Sequence, residues 1–202
     1  SHAWYLFWSD QLEDACLEAE ECLQLFRTHQ NQEGEVDALL ILGLAKFQGA
    51  DIQQSLNLAK SLNDIWKQAH AYFFLSAIGE VDDYSQRIRY FNTAATYFRK
   101  EGDLFSLAKT LNTLAFHQVL NGDFEMAKKN LNEVHLLGGL SNMGAQARDG
   151  ETAQSIIALA YGNYKQARAI IEKSISIAEL SGHQIDYIWN RTRLGYVALQ
   201  EG

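Results

Sequence analysis

The sequence predicts an all-α protein, folded as a right-handed superhelical solenoid of antiparallel helix hairpins. Three observations predict it. A residue pair with a small second member recurs every 33 to 40 positions, and repeats of that length are typical of solenoids. An Asp or Asn turn signal follows four of these pairs. Between the two signals, apolar residues recur at three- and four-residue spacing, as on one face of a helix.

The residue pair marks the first helix of each hairpin. The five pairs are Leu42-Gly43, Leu75-Ser76, Leu114-Ala115, Gln154-Ser155 and Leu194-Gly195. A small side chain lets a neighbouring helix approach to about 8 to 10 Å. The second helix carries a small residue of its own at Ala15, Ser55, Ala127 and Ala167. Arg87 takes that place in the hairpin of residues 65–100, so we expect this hairpin to pack more loosely.

Each second helix is predicted to begin at a polar cap, because an Asp or Asn oxygen accepts a bond from an orphan backbone N–H. The caps are Asp51, Asp83, Asp123 and Asn163. All of them except Asp123 precede a Gln by three residues, and Asp10 precedes Glu13 in the same way, which predicts reciprocal capping boxes. Glycines with a left-handed backbone are predicted to end helices, namely Gly102, Gly122, Gly138, Gly162 and Gly182.

These signals divide the chain into one solenoid that covers residues 1–202. Its predicted parts are a partial repeat at 1–28, full repeats at about 35–62, 65–100, 104–137 and 142–181, and a partial repeat at 186–202. Since both ends fall inside a repeat, we expect the solenoid to be cut from a longer protein.

The order of residues within a unit resembles the tetratricopeptide repeat. Leu114-Ala115, Gly122-Asp123-Phe124, Ala127 and Leu131 illustrate it, and the resemblance covers essentially the whole chain. The period near 40 exceeds the usual value of about 34, and no proline closes the second helix. Long proline-free repeats are similar to those of bacterial multidomain (STAND) regulators related to the maltose activator, where an ATPase switch precedes the solenoid. This resemblance implies a regulatory binding protein.

Composition and charge argue against several classes of function. The 202 residues include 25 acidic and 17 basic side chains, for a formal net charge of −8, and such a surface repels nucleic-acid phosphates. No segment approaches the roughly 20 apolar residues of a membrane span, and no secretory leader precedes the repeats. We therefore expect a cytoplasmic protein that binds neither nucleic acid nor membrane.

No grouping of residues predicts catalysis. The six histidines lie in different repeats without a second His or Cys at ligand spacing, which argues against a metal site. The glycines between Leu136 and Gly150 are not followed by the Lys-Ser or Lys-Thr of a phosphate-binding loop. We expect no enzyme activity and no cofactor.

The candidate ligand groove lies on the first helices, which line the concave side of such solenoids. The repeat places one and four after the small residue and three before it supply this groove, with Ala77 and Glu80 left out of the candidate set. The candidates are Leu40, Leu44, Phe47, Phe73, Asn112, Phe116, Val119, Thr152, Ile156, Leu159, Thr192, Tyr196 and Leu199. One interpretation is a hydrophobic channel for an amphipathic helix or an extended peptide. The other is that these side chains only pack first helices against one another.

The leading interpretation is a non-catalytic protein- or peptide-binding sensor segment of a larger, bacterial regulatory protein. Two alternatives stay open: a small-molecule inducer site in the same concave wall, and a purely structural spacer. The aromatic run from Trp4 to Trp8 also predicts self-association through the N-terminal end, because a solenoid normally ends in a polar outer face.

Overall fold

The computed structural model describes residues 2–9, 11–78, 83–137, 147–182 and 184–201, in which eleven α-helices and no strand occur. The all-α prediction is confirmed. The helices are α1 (His2–Trp8), α2 (Leu12–Thr28), α3 (Gln32–Ala45), α4 (Gly49–Ser61), α5 (Ile65–Ala77), α6 (Tyr84–Glu101), α7 (Leu104–Leu120), α8 (Phe124–Leu136), α9 (Ala147–Ala160), α10 (Tyr164–Ser181) and α11 (Gln184–Glu201). The pairs α3–α4, α5–α6, α7–α8 and α9–α10 occupy the four predicted full repeats.

The chain forms two compact units, Ser1–Leu107 and Ala108–Gly202, with the boundary inside α7. In the first unit each helix from α1 to α5 packs against the next, and α3 also contacts α1 and α5. Tight turns join these packed helices, so consecutive helices form antiparallel hairpins. An apolar cluster from α1, α2 and α3 forms part of the core, with Ala3, Ala19, Leu23, Leu39 and Ile41 among its members.

The second unit continues the same arrangement. α8 packs against α9, α9 against α10, and α10 against α11. One apolar cluster joins α7, α8 and α9 through Ala115, Leu131 and Ile157. Another joins α9, α10 and α11 through residues that include Ile171 and Val197. The core of this unit therefore runs along the line where first and second helices meet.

The small residues allow the close helix packing that the sequence predicts. A Cβ added to Gly43 would lie 2.5 Å from Ile52 Cγ1 and 2.9 Å from the Gln48 carbonyl oxygen. On α4, the hydroxyl of Ser55 donates to the Val36 carbonyl oxygen at 2.9 Å. Four alanines at these positions are completely buried, namely Ala15, Ala115, Ala127 and Ala167.

Two positions depart from the expected packing. The α5–α6 hairpin is close-packed in spite of Arg87: the Ser76 hydroxyl donates to the Arg87 carbonyl oxygen at 3.3 Å, and the Tyr72 and Tyr90 rings lie 5.3 Å apart. The half-buried side chain of Arg87 therefore does not hold the helices apart. Gly195 has no atom within 4 Å of the place where a Cβ would lie.

The predicted helix caps are correct in one case and differ in others. Asp83 caps α6, with its carboxylate accepting from the Ser85 N–H at 2.9 Å. Asp51 lies inside the first turn of α4, whose cap position is Gln48. Asp123 and Asn163 occupy cap positions, but their side chains accept no capping bond. The predicted box at Asp10 lies outside the described residues.

Three helix caps were missed by the sequence reasoning. In each, the side-chain oxygen accepts a hydrogen bond from a backbone N–H in the first turn of the helix, and the residues are Asn31, Asp64 and Asp103.

Six of the helices whose ends lie in the described residues finish in the same hydrogen-bonded turn. After the last helical residues, one residue adopts a left-handed backbone and the N–H that follows it bonds to the carbonyl five positions earlier, as from Asp123 to Gln118 at 2.8 Å. The left-handed residues are Gln30, Phe47, Asn63, Gly102, Gly122 and Gly162. Gly182 also has a positive φ, as predicted, whereas Gly138 lies outside the described residues. The turns at Gln30, Phe47 and Asn63 were not predicted, because the sequence analysis looked for glycine at the ends of helices.

The turns at Gln30 and Phe47 are strained, because residues of these types rarely adopt a left-handed backbone, and glycine should relieve that strain. Gln30 is exposed with φ of 53°, a region that disfavours a residue with a Cβ by about 1 to 2 kcal/mol. We expect Gln30→Gly to raise the free energy of unfolding by about 1 kcal/mol, and Gly162→Ala, with φ of 71° and open space around it, to lower it by a similar amount. Urea denaturation followed by circular dichroism measures both. Equal effects at the two sites would contradict the strain argument.

Candidate ligand-binding face

The predicted groove residues of α3 and α5 are buried inside the first unit. Leu40 and Leu44 are each 3% exposed, and Phe73 is 5% exposed. The ring of Phe73 packs against that of Phe91 with centroids 5.9 Å apart. This corrects the groove prediction for these three residues. Their side chains form the core, because α3 and α5 have packed neighbours on several sides, and the packing interpretation describes them.

Phe47 is the second correction to the predicted groove. α3 ends at Ala45, so Phe47 lies in the turn before α4, with φ of 52°. Its side chain is 61% exposed, but it is not on the first-helix face. The prediction assumed that α3 continues through Phe47, whereas the helix ends two residues earlier.

In the second unit, part of the predicted set is buried and part keeps a solvent-facing surface. Asn112 and Val119 are buried. A Cβ at Gly150 would collide with Asn112 Oδ1, so α7 and α9 approach closely at this point. Phe116 and Ile156 are half-buried against the α7–α8–α9 cluster. Thr152 and Leu159 are also half-buried.

The helix α11 exposes an apolar face. Tyr196 is 53% exposed and Leu199 is 81% exposed, and the predicted residue Thr192 is also exposed. Trp189, 64% exposed, and Ile188 share this face, since residues spaced by three, four and seven positions lie on one side of a helix. Sequence reasoning missed Ile188 and Trp189, although their spacing to Thr192 and Tyr196 was visible.

Arg193 connects α11 to α9 across this face. Its Nη1 donates to Ser155 Oγ at 3.2 Å, and its Nη2 points to Thr152 Oγ1 at 3.4 Å. The Ser155 hydroxyl donates to the Thr152 carbonyl oxygen at 2.8 Å, which leaves a lone pair directed at the guanidinium. Burial lowers the pKa of Arg193 below its usual value, and Asp186 acts in the opposite direction. Sequence reasoning did not select Arg193.

We call Thr152, Ser155, Trp189, Arg193 and Tyr196 the Arg193 face. Trp189 precedes Arg193 by four residues and Tyr196 follows it by three, so both aromatic side chains lie beside the guanidinium on the helix surface. The face therefore combines two exposed aromatic rings, one half-buried cation and two hydroxyl groups. Of the thirteen predicted groove residues, only Thr152 and Tyr196 belong to it.

A separate cleft of about 570 Å³ lies between α8, α9 and α10. Its floor is apolar, and its rim carries a lysine, a histidine and four carboxamides: Lys128, Asn132, His135, Gln154, Asn163 and Gln166. Lys128 also lies 3.8 Å from the centre of the Tyr161 ring and pairs with Glu125 at 3.0 Å. The hydrogen bonds from Lys128 and Tyr161 lower the pKa of the Glu125 carboxyl. Since its lysine is paired, this cleft suits an uncharged polar ligand.

The aromatic N-terminal run is more deeply packed than the sequence suggests. Trp4 is half-buried against the α1–α2–α3 cluster, and its ring lies 6.3 Å from that of Phe74. Tyr5 is exposed, whereas the side chain of Trp8 lies outside the described residues. Self-association through the N-terminal end stays a prediction.

Two kinds of site are not found in the described part of the chain. No group of three or more His, Cys, Asp and Glu side chains is arranged to hold a metal ion there. None of the described helices is long and apolar enough to cross a membrane.

Comparisons with known proteins show the fold. No family model matches the sequence, and no curated protein is significantly similar to it. The crystal structure of the apo form of RapI, a helical-repeat protein, superimposes with a TM-score of 0.59 at 12% sequence identity, over 98% of this chain and 81% of RapI. At that identity the likeness concerns the fold alone. The chain therefore has an all-helical repeat fold similar to that of RapI.

Proposed function

We propose that this chain is a non-catalytic interaction segment that holds a peptide or protein segment along α9 and α11. The observation that carries the proposal is the Arg193 face, where Trp189, Arg193 and Tyr196 lie side by side with much of both rings exposed. Trp, Tyr and Arg are the residues most enriched among those that dominate binding energy in protein interfaces. Exposed apolar side chains that are grouped together and rimmed by polar residues mark interaction sites.

The chemistry of the face favours recognition over catalysis. Ser155 is the hydroxyl nearest its centre, and it is bonded to a guanidinium and to a backbone carbonyl. A nucleophilic serine needs a neighbouring base to accept its proton, and neither partner is one. The face therefore supports binding without reaction.

The type of repeat supports a wider role in regulation. Long proline-free repeats resemble those of bacterial regulators of the maltose-activator type, and the fold is shared with RapI. We place the segment in a larger cytoplasmic regulatory protein, where occupancy of the Arg193 face would be transmitted through small changes in the packing of neighbouring helices.

Tyr196 offers the sharpest test of this proposal. Peptides selected from a phage-displayed random library against the 202-residue chain should bind in part through Tyr196, since burying one large apolar side chain contributes roughly 1.5 to 3 kcal/mol. Tyr196→Glu should weaken binding by at least about tenfold, as measured by fluorescence polarisation. The exposed Tyr196 side chain should tolerate this change without loss of helix in circular dichroism.

The matched control is Leu180→Glu on α10, where a large apolar side chain is 91% exposed on a helix that contributes no residue to the Arg193 face. This variant should bind the selected peptides like the parent chain. Failure to select any peptide, or equal affinity of Tyr196→Glu and Leu180→Glu, would reject the proposed function and leave the structural-spacer alternative.

A second candidate function is supported by the cleft between α8, α9 and α10. Its volume falls in the range of small-molecule sites, about 300 to 1,000 Å³, and its carboxamides offer both donors and acceptors. A neutral, hydroxyl-rich inducer such as a sugar fits that chemistry. A thermal-shift screen against sugars, repeated with Gln154→Ala, distinguishes this site from the Arg193 face.

A further inference from the structure

We infer that the exposed side of α2 docks a basic amphipathic helix of a partner protein. The residues concerned are Asp14, Leu17, Glu21 and Leu25, which we call the α2 face. They lie in the first unit, whereas the Arg193 face lies on α9 and α11 of the second. The inference therefore goes beyond the proposed function and does not depend on it.

The helix α2 is buried along one side and open along the other. Ala15, Ala19 and Leu23 are buried, and the last two belong to the apolar cluster shared with α1 and α3. Leu17 and Leu25 each follow a buried residue by two positions, about 200° around the helix. They are 60% and 58% exposed. Two large apolar side chains are therefore presented to solvent on the side of α2 that faces away from this cluster.

The two carboxylates of the α2 face have no cation beside them. Within the described residues, neither Asp14 nor Glu21 forms an ion pair or a side-chain hydrogen bond, although Glu20 of the same helix pairs with Lys46 at 2.7 Å. Asp14 lies in the first turn of α2, where the helix dipole stabilises a negative charge. Glu21 lies in the middle of the helix and has no such compensation.

The position of Glu21 decides the chemistry of the occupant. It follows Leu17 by four residues and precedes Leu25 by four, so its carboxylate lies between the two apolar side chains on one side of the helix. Any partner that covers both leucines also removes water from Glu21. Burying a charge without a partner charge is costly, so the segment that covers the leucines must bring a cation to Glu21.

The charge of the first unit favours the same occupant. Residues 1–107 carry 16 acidic and 8 basic side chains, whereas residues 108–202 carry nine of each. The whole net charge of −8 therefore belongs to the unit that contains the α2 face. A surface of this sign attracts a basic segment over several ångströms and repels an acidic one.

The spacing along α2 fits a helix as the partner. Leu17, Glu21 and Leu25 form a row of side chains four residues apart, and the commonest packing of two helices interdigitates such rows. A partner helix matches the row when a lysine or arginine lies between two leucines at the same spacing. The expected partner is therefore a basic amphipathic helix whose leucines and basic side chains share one face.

Two helical probes of identical composition test the inference. In Ac-KAALAQAKAQALAAK-NH2 the leucines and lysines share one face, whereas in Ac-KAAQALAKALAQAAK-NH2 leucine and glutamine exchange places, so that the leucines lie opposite the lysines. Each probe is titrated into the 15N-labelled 202-residue chain at low salt while the backbone amides are followed by NMR. We expect the first probe to shift α2 amides and to bind at least about fivefold more tightly than the second.

Two variants of the α2 face locate the binding. Leu17→Ser and Glu21→Gln should each weaken binding of the first probe by at least about threefold, and Glu21→Gln should also reduce its dependence on salt. The matched controls are Leu180→Ser and Glu179→Gln, which change an exposed leucine and an exposed carboxylate on α10 and should leave affinity unchanged. Circular dichroism checks that each variant keeps its helix content, and Glu21→Gln remains informative if Leu17→Ser loses helix.

Three results would overturn the inference. The first is equal binding of the two probes, which indicates attraction by net charge alone. The second is an affinity that neither Leu17→Ser nor Glu21→Gln changes. The third comes from light scattering without a probe: if the parent chain dimerises and Leu17→Ser abolishes the dimer, a second copy of the chain covers the α2 face.

Discussion

Gly43→Ala is expected to lower the free energy of unfolding by about 1 to 3 kcal/mol, whereas Gly195→Ala is expected to raise it by about 0.5 to 1 kcal/mol. The two glycines have the same place in the repeat. At Gly43 the added Cβ would meet the Gln48 carbonyl oxygen at 2.9 Å and the Ile52 nitrogen at 3.0 Å. These are backbone atoms, which cannot move without shifting α4, so the contact outweighs the better helix propensity of alanine.

At Gly195 no atom lies within 4 Å of the added methyl group, so only the gain in helix propensity remains. Urea denaturation of the two variants and the parent chain, followed by circular dichroism, gives the difference directly. Hydrogen exchange of the α3 and α11 amides shows in which unit each change acts. A stabilising effect at Gly43, or a destabilising effect at Gly195, would show that the described packing of these helices is incorrect.

Phe73→Ala is expected to lower the free energy of unfolding by about 3 to 5 kcal/mol, as for other buried phenylalanines. The side chain is 5% exposed, and its ring packs against those of Phe74 and Phe91 at 5.1 and 5.9 Å. Removing it leaves a cavity between α5 and α6. The matched control is Tyr196→Ala, where a half-exposed ring is removed and the expected loss is below about 1 kcal/mol.

This pair of variants separates core from ligand face among residues that the sequence pattern treats as equivalent. Two quantities are measured for each variant: its free energy of unfolding in urea and its affinity for the selected peptides. The expected results for the two variants are opposite. Phe73→Ala should lose stability and keep affinity below its unfolding transition, and Tyr196→Ala should keep stability and lose affinity. If Phe73→Ala unfolds at the same denaturant concentration as the parent chain, Phe73 is not a core residue. It would then again be a candidate for contact with the ligand.

Much of the fold could be predicted because its signals are local. The small residues at Gly43, Ser55, Ala115 and Ala127 mark where helices meet, and the structure buries all four. The glycines at positions 102, 122, 162 and 182 were predicted to end helices and have positive φ. Turns at Gln30, Phe47 and Asn63 were missed, because none of these residues is the glycine that the sequence reasoning used as its signal.

The candidate site was less predictable, because exposure is not a local property. The groove rule selected Phe73 and Tyr196 together, yet one is buried and the other is half-exposed. A side chain on a first helix is buried only when packed helices surround it, and the number of such helices differs between α5 and α11. Arg193 broke the repeat pattern in the printed sequence, but its contacts with Thr152 and Ser155 join residues about 40 positions apart.

The sequence by itself determined the all-α class, the hairpin repeat and the positions of close helix contact, since helix periodicity, small residues and left-handed glycines act over a few residues. Only the tertiary structure decided which members of each apolar stripe form the core and which remain open to a ligand. Burial depends on how many helices converge on a side chain, and for Leu40, Phe73, Trp189 and Tyr196 that number is set by neighbours along the solenoid and not by the residue's own place in the repeat.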